Sequence, residues 1–200
     1  MNNSLMLAKK ALREKLKHTL KSLPEVDRLN RSNNLIKKLT ESPQYLKSKR
    51  IAIYLSMPEE VDMSELMKKI FENNKVCFIP QYNKNIMRML QLYSLEDFIN
   101  LPTTKWNIKQ PSIEDMNRDD ALLTGGLDLV VVPGLGFTKS GKRLGRGKGY
   151  YDRFMKEVLE LYKQNLSPLP YFVALAFQEQ IFDDIPVTQD DFIVDEVIIE

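Results

Sequence analysis

Cysteine and histidine are almost absent from the chain, which has only Cys77 and His18 among its 200 residues. A single thiol can form neither an intrachain disulfide nor a thiolate metal cluster, and this scarcity favours a reducing compartment. His18 falls within a lysine-rich helical pattern, where we expect it at the surface. The chain therefore offers no plausible Ser-His-Asp or Cys-His catalytic set.

Long hydrophobic runs are also missing. No apolar run approaches the roughly 20 residues that a membrane-spanning helix needs. Residues 5–8 are apolar, but lysines follow at once, and the run is too short for the hydrophobic region of a secretory signal. These absences predict a cytoplasmic protein without a membrane partner, and they leave open a mitochondrial form with a cleaved leader.

The composition is otherwise ordinary for a globular protein, with 43% hydrophobic and 28% charged residues. The length suits one domain over residues 1–200, with N-terminal helices at about 4–42 packing on an α/β core. Residues 1–50 carry 13 Lys/Arg and 4 Asp/Glu, whereas the rest of the chain has a net charge of −7. The basic segment is a solvated helical face, a nucleic-acid patch, or a source of cations for a polyphosphate ligand.

Hydrophobic periodicity divides the chain into alternating helices and strands. Leucines at helical spacing predict a first helix that ends near Pro24, and a second helix follows it. Short apolar runs predict strands at 50–55, 75–79, 128–132, 171–176 and 196–199, with 87–93 as a weaker candidate. We expect Pro80 to end the second strand. The pattern predicts an α/β fold of three layers, α/β/α, with helices on both faces of a mostly parallel, Rossmann-like sheet.

Ligands of such sheets bind beyond the carboxyl ends of the strands. Three segments directly follow predicted strands and carry polar or glycine residues: 56–60, 80–82 and 133–149. We expect a ligand site where these segments meet.

The last of these segments is rich in glycine and cations. Glycines at 145, 147 and 149 alternate with Arg146 and Lys148. Glycine permits positive φ and close approach, so that successive N–H groups can converge on an anion. A helix predicted from about Gly149 would add its free amides and the positive end of its dipole. Asp152 is the one carboxylate of this cluster and suits a magnesium ion shared with phosphate.

The segment matches neither of the common nucleotide motifs. No glycine stands five positions before Gly147-Lys148, and Gly149 occupies the place where a Walker A motif has Ser or Thr. The GxGxxG dinucleotide pattern is absent as well. The residues alone therefore predict a phosphate or nucleotide site without specifying a reaction.

Separated motifs nevertheless resemble one known family. Residues 133–137 (PGLGF), followed by 143–152 (RLGRGKGYYD), closely resemble the signature of the 5-formyltetrahydrofolate cyclo-ligases. Residues 9–13 (KKALR) and 54–60 (YLSMPEE) resemble the ATP-contacting and folate-binding motifs of that family. Further matches at 104–107, 125–128 and 174–177 extend the likeness over nearly the whole chain, about residues 8–200.

The resemblance implies an enzyme that converts 5-formyltetrahydrofolate and ATP into 5,10-methenyltetrahydrofolate, ADP and phosphate, with Mg²⁺ as cofactor. It implies a monomer that binds small molecules and no nucleic acid. Phosphorylation of the formyl oxygen would make it a leaving group, and N10 would then close the ring. Such chemistry needs positioning and charge stabilisation, and it needs no side-chain nucleophile.

The resemblance also implies roles for individual residues. Catalytic roles fall to Arg146 and Lys148. ATP contacts fall to Lys9, Lys10, Arg13, Arg143, Leu144, Gly145, Arg146, Gly147, Lys148, Gly149, Tyr150 and Tyr151. Folate contacts fall to Leu55, Met57, Glu60, Tyr82, Trp106, Lys148 and Tyr151. Magnesium ligands are Asp152 and Asp191, although Asp190 beside it leaves the register open.

Gln81 departs from the arginine that we expect before Tyr82, which puts a charge-based contact there in doubt.

Two other classes of protein compete with the cyclo-ligase interpretation. A different phosphate- or nucleotide-dependent enzyme would explain the glycine segment but leaves Glu60, Trp106 and the ordered motifs unexplained. A nucleic-acid-binding module would use the basic N-terminal segment and show binding that weakens steeply with salt.

Overall fold

The computed structural model describes residues 3–84, 86–104, 108–115, 117–165, 169–189 and 191–200. Its helices are α1 Asn3–Lys21, α2 Glu25–Thr40, α3 Pro43–Lys47, α4 Ser64–Glu72, α5 Leu95–Asn100 and α6 Tyr150–Asn165. Its strands are β1 Arg50–Ala52, β2 Val76–Asn83, β3 Ile86–Leu92, β4 Leu129–Val131, β5 Gly136–Thr138, β6 Arg143–Leu144, β7 Tyr171–Ala176, β8 Ile181–Phe182 and β9 Glu196–Ile199. None of the described helices is long and apolar enough to cross a membrane.

The main sheet has six strands in the order β3-β2-β1-β4-β7-β9. All neighbours pair in parallel except β2 and β3, which form an antiparallel hairpin. The central strands are buried on both faces, as their continuous apolar sequences require. The predicted mostly parallel sheet is confirmed, and the candidate strand at 87–93 corresponds to β3, which runs antiparallel to β2.

The connections of this sheet run in two directions. From β1 the chain passes through α4 to β2 on one side, whereas from β4 it passes through α6 to β7 on the other. Right-handed crossovers that run in opposite directions place their helices on opposite faces, which gives the predicted three layers. The reversal lies between β1 and β4, and ligands of such sheets bind at the carboxyl side of this switch point.

Strand β2 continues through Pro80, so the prediction that Pro80 ends it is wrong. Pro80 faces Met89 of β3, and the Met89 carbonyl turns away from β2 to accept from the N–H of Ala121. Proline thus occupies a position of the hairpin that requires no N–H towards β3. On its other side β1 has already ended, since the β1–β2 pairing stops at Phe78. Proline is tolerated in a strand where no ladder bond is lost.

A second, three-stranded sheet of order β6-β5-β8 was not expected from the sequence. Its strands have two or three residues, too few for a periodic pattern. The β5–β6 hairpin leaves the end of β4 and delivers the glycine segment to the start of α6. Helix α1 packs on this sheet: a Cβ added to Gly136 would lie 3.0 Å from the Leu16 side chain.

Helix α2 is tied to the C-terminal end of the chain by Arg31. Its guanidinium donates to the Glu179 and Glu200 carboxylates and lies 4.9 Å from the ring centroid of Phe177. Hydrogen bonding to Arg31 lowers the pKa of both glutamates. The two glutamates therefore stabilise the fold when they are ionised and paired with Arg31.

Arg31→Met should lower the free energy of unfolding at pH 7 by about 1–3 kcal/mol, because two charge-assisted partners are lost. Both glutamates have folded pKa values below their unfolded values, so this stabilisation is present above the unfolded pKa and is lost as pH falls through the folded ones. Denaturant titrations at pH 7 and at about pH 3 should show a difference between wild type and variant that shrinks in acid. Lys37→Met, at an exposed position of α2, is the control. A difference that is the same at both pH values would contradict the assignment.

Candidate active site

The segment after β1 forms a tight turn that carries two adjacent glutamates. The Glu60 N–H donates to the Met57 carbonyl at 2.9 Å, and the Met57 N–H donates to Glu60 Oε2 at 3.0 Å. Pro58 occupies the second position of this turn, which its fixed φ suits. Glu59 and Glu60 are therefore held on a short, doubly bonded turn at the carboxyl end of a central strand.

The glycine segment after β6 has the backbone that its composition predicts. Gly147 and Gly149 have φ values of +95° and +68°, which disfavour other residues. Gly145 leaves room for the Arg143 guanidinium, since a Cβ there would lie 2.9 Å from Arg143 Nη1. Helix α6 begins at Tyr150, one residue after the predicted start. The free amides of its first turn thus follow directly on the glycines.

Arg146 joins the glycine segment to the glutamate turn across the switch point. Its Nε lies 2.9 Å from Glu60 Oε1, and its Nη2 lies 3.0 Å from Glu59 Oε1. Glu60 is only 8% exposed, and burial raises its pKa although Arg146 opposes the shift. Burial works to lower the pKa of Arg146, but the two glutamates outweigh it and hold the pKa above its ordinary value. Arg146 was predicted as a phosphate contact, and the structure gives it two carboxylate partners.

Helix α1 brings two of its three predicted cations to the same place. Arg13 Nε donates to the Gly145 carbonyl at 2.9 Å, and its guanidinium lies against Gly147. The Lys9 ammonium is mostly buried and pairs with Asp191 at 2.5 Å. Lys10 is exposed, since adjacent helical positions point in different directions. The structure therefore separates Lys10 from Lys9 and Arg13.

The two predicted magnesium ligands also lie close together. Asp152 Oδ1 accepts from Arg143 Nη2 at 2.5 Å and from the N–H of Phe192 at 3.4 Å. Asp191 directly precedes Phe192 and accepts from Lys9 and the Thr188 N–H. Asp190 lies outside the described residues. Within the described part of the chain no three His, Cys, Asp or Glu side chains cluster around a potential metal position. Two carboxylates suit a magnesium ion that completes its coordination with phosphate and water.

Arg143 does not reach outward as a cradle residue would. It is 5% exposed, and its guanidinium donates to the Pro133 carbonyl and to Asp152. The side chain of Leu144 is buried in the core as well. Lys148, in contrast, is exposed, and its ammonium pairs with no carboxylate among the described residues. Of the two predicted cradle cations that flank Arg146, only Lys148 is free to meet a ligand.

Tyrosines line the space beside Glu60. Tyr151 is buried at the start of α6, and burial raises its pKa and that of Tyr82. Tyr150 is half-buried; its hydroxyl donates to the Lys84 carbonyl at 2.6 Å, and its ring lies 4.9 Å from that of Tyr82. Tyr151 is therefore the buried member of the pair, and Tyr150 fastens the β2–β3 hairpin to α6.

The remaining predicted folate residues divide between the described and undescribed parts of the chain. Leu55 is buried and Met57 half-buried, at the same strand end as Glu60. Trp106 lies outside the described residues. Gln81 is buried, and its Nε2 donates to the Ser112 carbonyl at 2.6 Å. It therefore holds a neighbouring loop, a role that requires no charge.

Sequence reasoning missed Glu59, although it stands in the recognised segment. Only its neighbour Glu60 matches the family motif, and nothing in the pattern shows that both carboxylates meet one arginine. The sequence signal that could have pointed to Glu59 was the pair of adjacent glutamates directly after Pro58. Tyr54, whose buried hydroxyl donates to the Val61 carbonyl, closes the same turn region and was missed too.

The fold and site define an α/β protein in which a glycine-rich cationic loop and an acidic turn meet at the switch point of the sheet. The chain belongs to the 5-formyltetrahydrofolate cyclo-ligase family, whose sequence profile matches residues 6–200. The predicted family is therefore confirmed, and with it the predicted class of enzyme.

Individual relatives support the same family assignment. The chain is 49% identical over 195 residues to 5-formyltetrahydrofolate cyclo-ligase from Mus musculus, covering 96% of this chain and 94% of the relative. It is 34% identical over 194 residues to a Caenorhabditis elegans protein assigned to the same enzyme, covering 96% and 92%. An NMR structure of Aquifex aeolicus 5,10-methenyltetrahydrofolate synthetase superposes with a TM-score of 0.77 at 29% identity, covering 96% of this chain and 89% of that one.

The burial of Arg143 predicts a contrast with Lys148. Arg143→Met should lower the free energy of unfolding by about 3 kcal/mol, because it leaves Asp152 and a buried carbonyl without their partner. Lys148→Met should change it by less than about 0.5 kcal/mol, as exposed substitutions do. Denaturant unfolding of the two variants beside wild type measures both values. Equal destabilisation would contradict the structural role given to Arg143.

Proposed function

We propose that the protein catalyses the ATP- and Mg²⁺-dependent cyclisation of 5-formyltetrahydrofolate to 5,10-methenyltetrahydrofolate, with release of ADP and phosphate. The supporting observation is the contact of Arg146 with Glu59 and Glu60, because it brings the loop suited to phosphate against the turn suited to folate. A phosphoryl transfer between two bound substrates requires such a junction.

The reaction has two steps in this proposal. The formyl oxygen of the substrate attacks the γ-phosphorus of ATP, the bond to the bridging oxygen breaks, and ADP leaves. N10 then attacks the formyl carbon, and the C–O bond breaks to release phosphate, while N10 loses its proton. No covalent bond to the protein is formed, so its work is to position both substrates and to stabilise negative charge.

The nucleotide would lie along the glycine loop. The amides that follow Gly147 and Gly149 and the free N–H groups in the first turn of α6 are suited to phosphate oxygens. Lys148 adds a movable charge, and Arg13 reaches the same loop from α1. Arg146 stands at the border of the two substrates, where charge develops on the transferring group.

Folate would occupy the space beside the glutamate turn. The Glu60 carboxylate can accept from the amino and ring N–H groups of a pterin, since each of its oxygens has a lone pair left. Leu55, Met57, Tyr82, Tyr151 and Trp106 complete the proposed pocket, in which flat rings can pack on those of the substrate.

A magnesium ion would be held by Asp152 and Asp191 and would neutralise charge on the phosphates of the nucleotide. The two carboxylates fit this role because the contact of Asp152 with the Phe192 N–H brings them together. Arg143 orients Asp152, and Lys9 and Thr188 orient Asp191. Their positive partners keep both acids in place when the site is assembled.

We propose further that the protein is a single-domain cytoplasmic monomer whose partners are small molecules. Of the 13 Lys/Arg in residues 1–50, Lys9 and Arg13 then serve the site. A nucleic-acid partner and a membrane partner are not part of this proposal.

Lys148→Ala should reduce turnover at least roughly tenfold, because one cation is removed from the transferring group. The assay follows methenyl absorbance after mixing protein, Mg-ATP and 5-formyltetrahydrofolate. Lys139→Ala, an exposed lysine in the β5–β6 turn, is the matched control and should retain wild-type turnover. Folded wild-type protein that gives no absorbance rise would reject the proposed function. Full activity of Lys148→Ala would reject only the assignment of the loop.

A further inference from the structure

Arg146 donates to its two glutamates through one side of its guanidinium only. A guanidinium carries five N–H donors, one on Nε and two on each Nη. The Nε–H is used by Glu60, and one Nη2–H is used by Glu59. No hydrogen bond of Nη1 occurs among the described residues. The edge formed by Nε and Nη2 is thus filled by protein.

The opposite, terminal edge consists of Nη1 and the second N–H of Nη2. Two parallel N–H groups on this edge match the spacing of two phosphate or carboxylate oxygens. The glutamates therefore leave the bidentate edge available while they fix the plane of the group. The Arg146 side chain is 27% exposed, so part of it is accessible.

The two glutamates do not contribute equally to fixing the plane of the Arg146 guanidinium. Glu60 also accepts from the Met57 N–H, and it is the proposed contact of the folate ring. Its carboxylate is therefore divided among three partners once substrate binds. Among the described residues the side chain of Glu59 hydrogen-bonds to Arg146 alone, and the turn holds its backbone.

We propose that Glu59 is a positioning residue that fixes the Arg146 guanidinium, so that its terminal edge faces the phosphoryl group passing from ATP to folate. This inference rests on the proposed function and adds to it a residue that contacts neither substrate. Without Glu59, the Arg146 guanidinium keeps one anchor, Glu60. It is then free to rotate about that hydrogen bond. A misplaced donor costs transition-state stabilisation more than it costs substrate binding.

Glu59→Ala should therefore lower kcat roughly tenfold or more and change the KM for 5-formyltetrahydrofolate less than about twofold. Glu59→Gln keeps an acceptor oxygen and should recover part of the lost kcat. Glu72→Ala is the control, because that glutamate pairs with Lys69 on the surface of α4. It should behave as wild type.

A double-mutant cycle separates positioning from a general structural effect. In the Arg146→Ala background, where no guanidinium remains to be oriented, Glu59→Ala should lower kcat by less than about twofold. If Arg146→Ala turns over too slowly to measure, Arg146→Lys replaces it, since an ammonium lacks the planar edge.

Two results would overturn the inference while the proposed function stands. In one, Glu59→Ala keeps wild-type kcat; in the other, it lowers kcat by the same factor with and without Arg146. An inactive wild-type protein would instead overturn the proposed function itself, and this inference with it.

Discussion

The ion pairs of Arg146 with Glu59 and Glu60 are the interaction on which the site depends. They join the glycine segment after β6 to the turn after β1, and among the described residues no backbone hydrogen bond links those two segments. Their position is set by topology, because β1 and β4 are neighbours whose connections depart in opposite directions. Burying the Glu60 carboxylate raises its pKa and would be costly without the arginine. The contact thus brings the two loops together in one candidate site.

The cations around the site fall into two groups. Lys9, Arg13 and Arg143 are held by protein carbonyls or carboxylates and set the shape of the loop and the orientation of Asp152 and Asp191. Lys148 is exposed, and Arg146 keeps one edge available. Most cations of this dense positive sequence therefore bind other parts of the protein, and only a few are left for the proposed ligand. This division explains how so many like charges coexist in one short segment.

The sequence predicted the main sheet well, since long apolar runs such as 171–176 can be read without tertiary context. It predicted the positive φ of Gly147 and Gly149, a local property of glycine. It failed at Pro80, which needs no N–H because it makes no ladder bond to β3 and β1 has already ended on its other side. It also failed at the small second sheet, whose strands are too short to show a period. Helix α5, capped by Ser94, was not predicted from the sequence. The pairing of Arg146 with Glu59 and Glu60 connects residues 86 and more positions apart, and no local pattern encodes it.

The central claim is that the glycine loop holds the nucleotide against a folate fixed by the glutamate turn. A crystal structure of the protein with Mg-ADP and 5-formyltetrahydrofolate tests it most directly. The account predicts phosphate oxygens within hydrogen-bond distance of the amides that follow Gly147 and Gly149, the metal on Asp152, and the pterin beside Glu60. A nucleotide bound away from this loop, with Arg146 facing neither ligand, would contradict it.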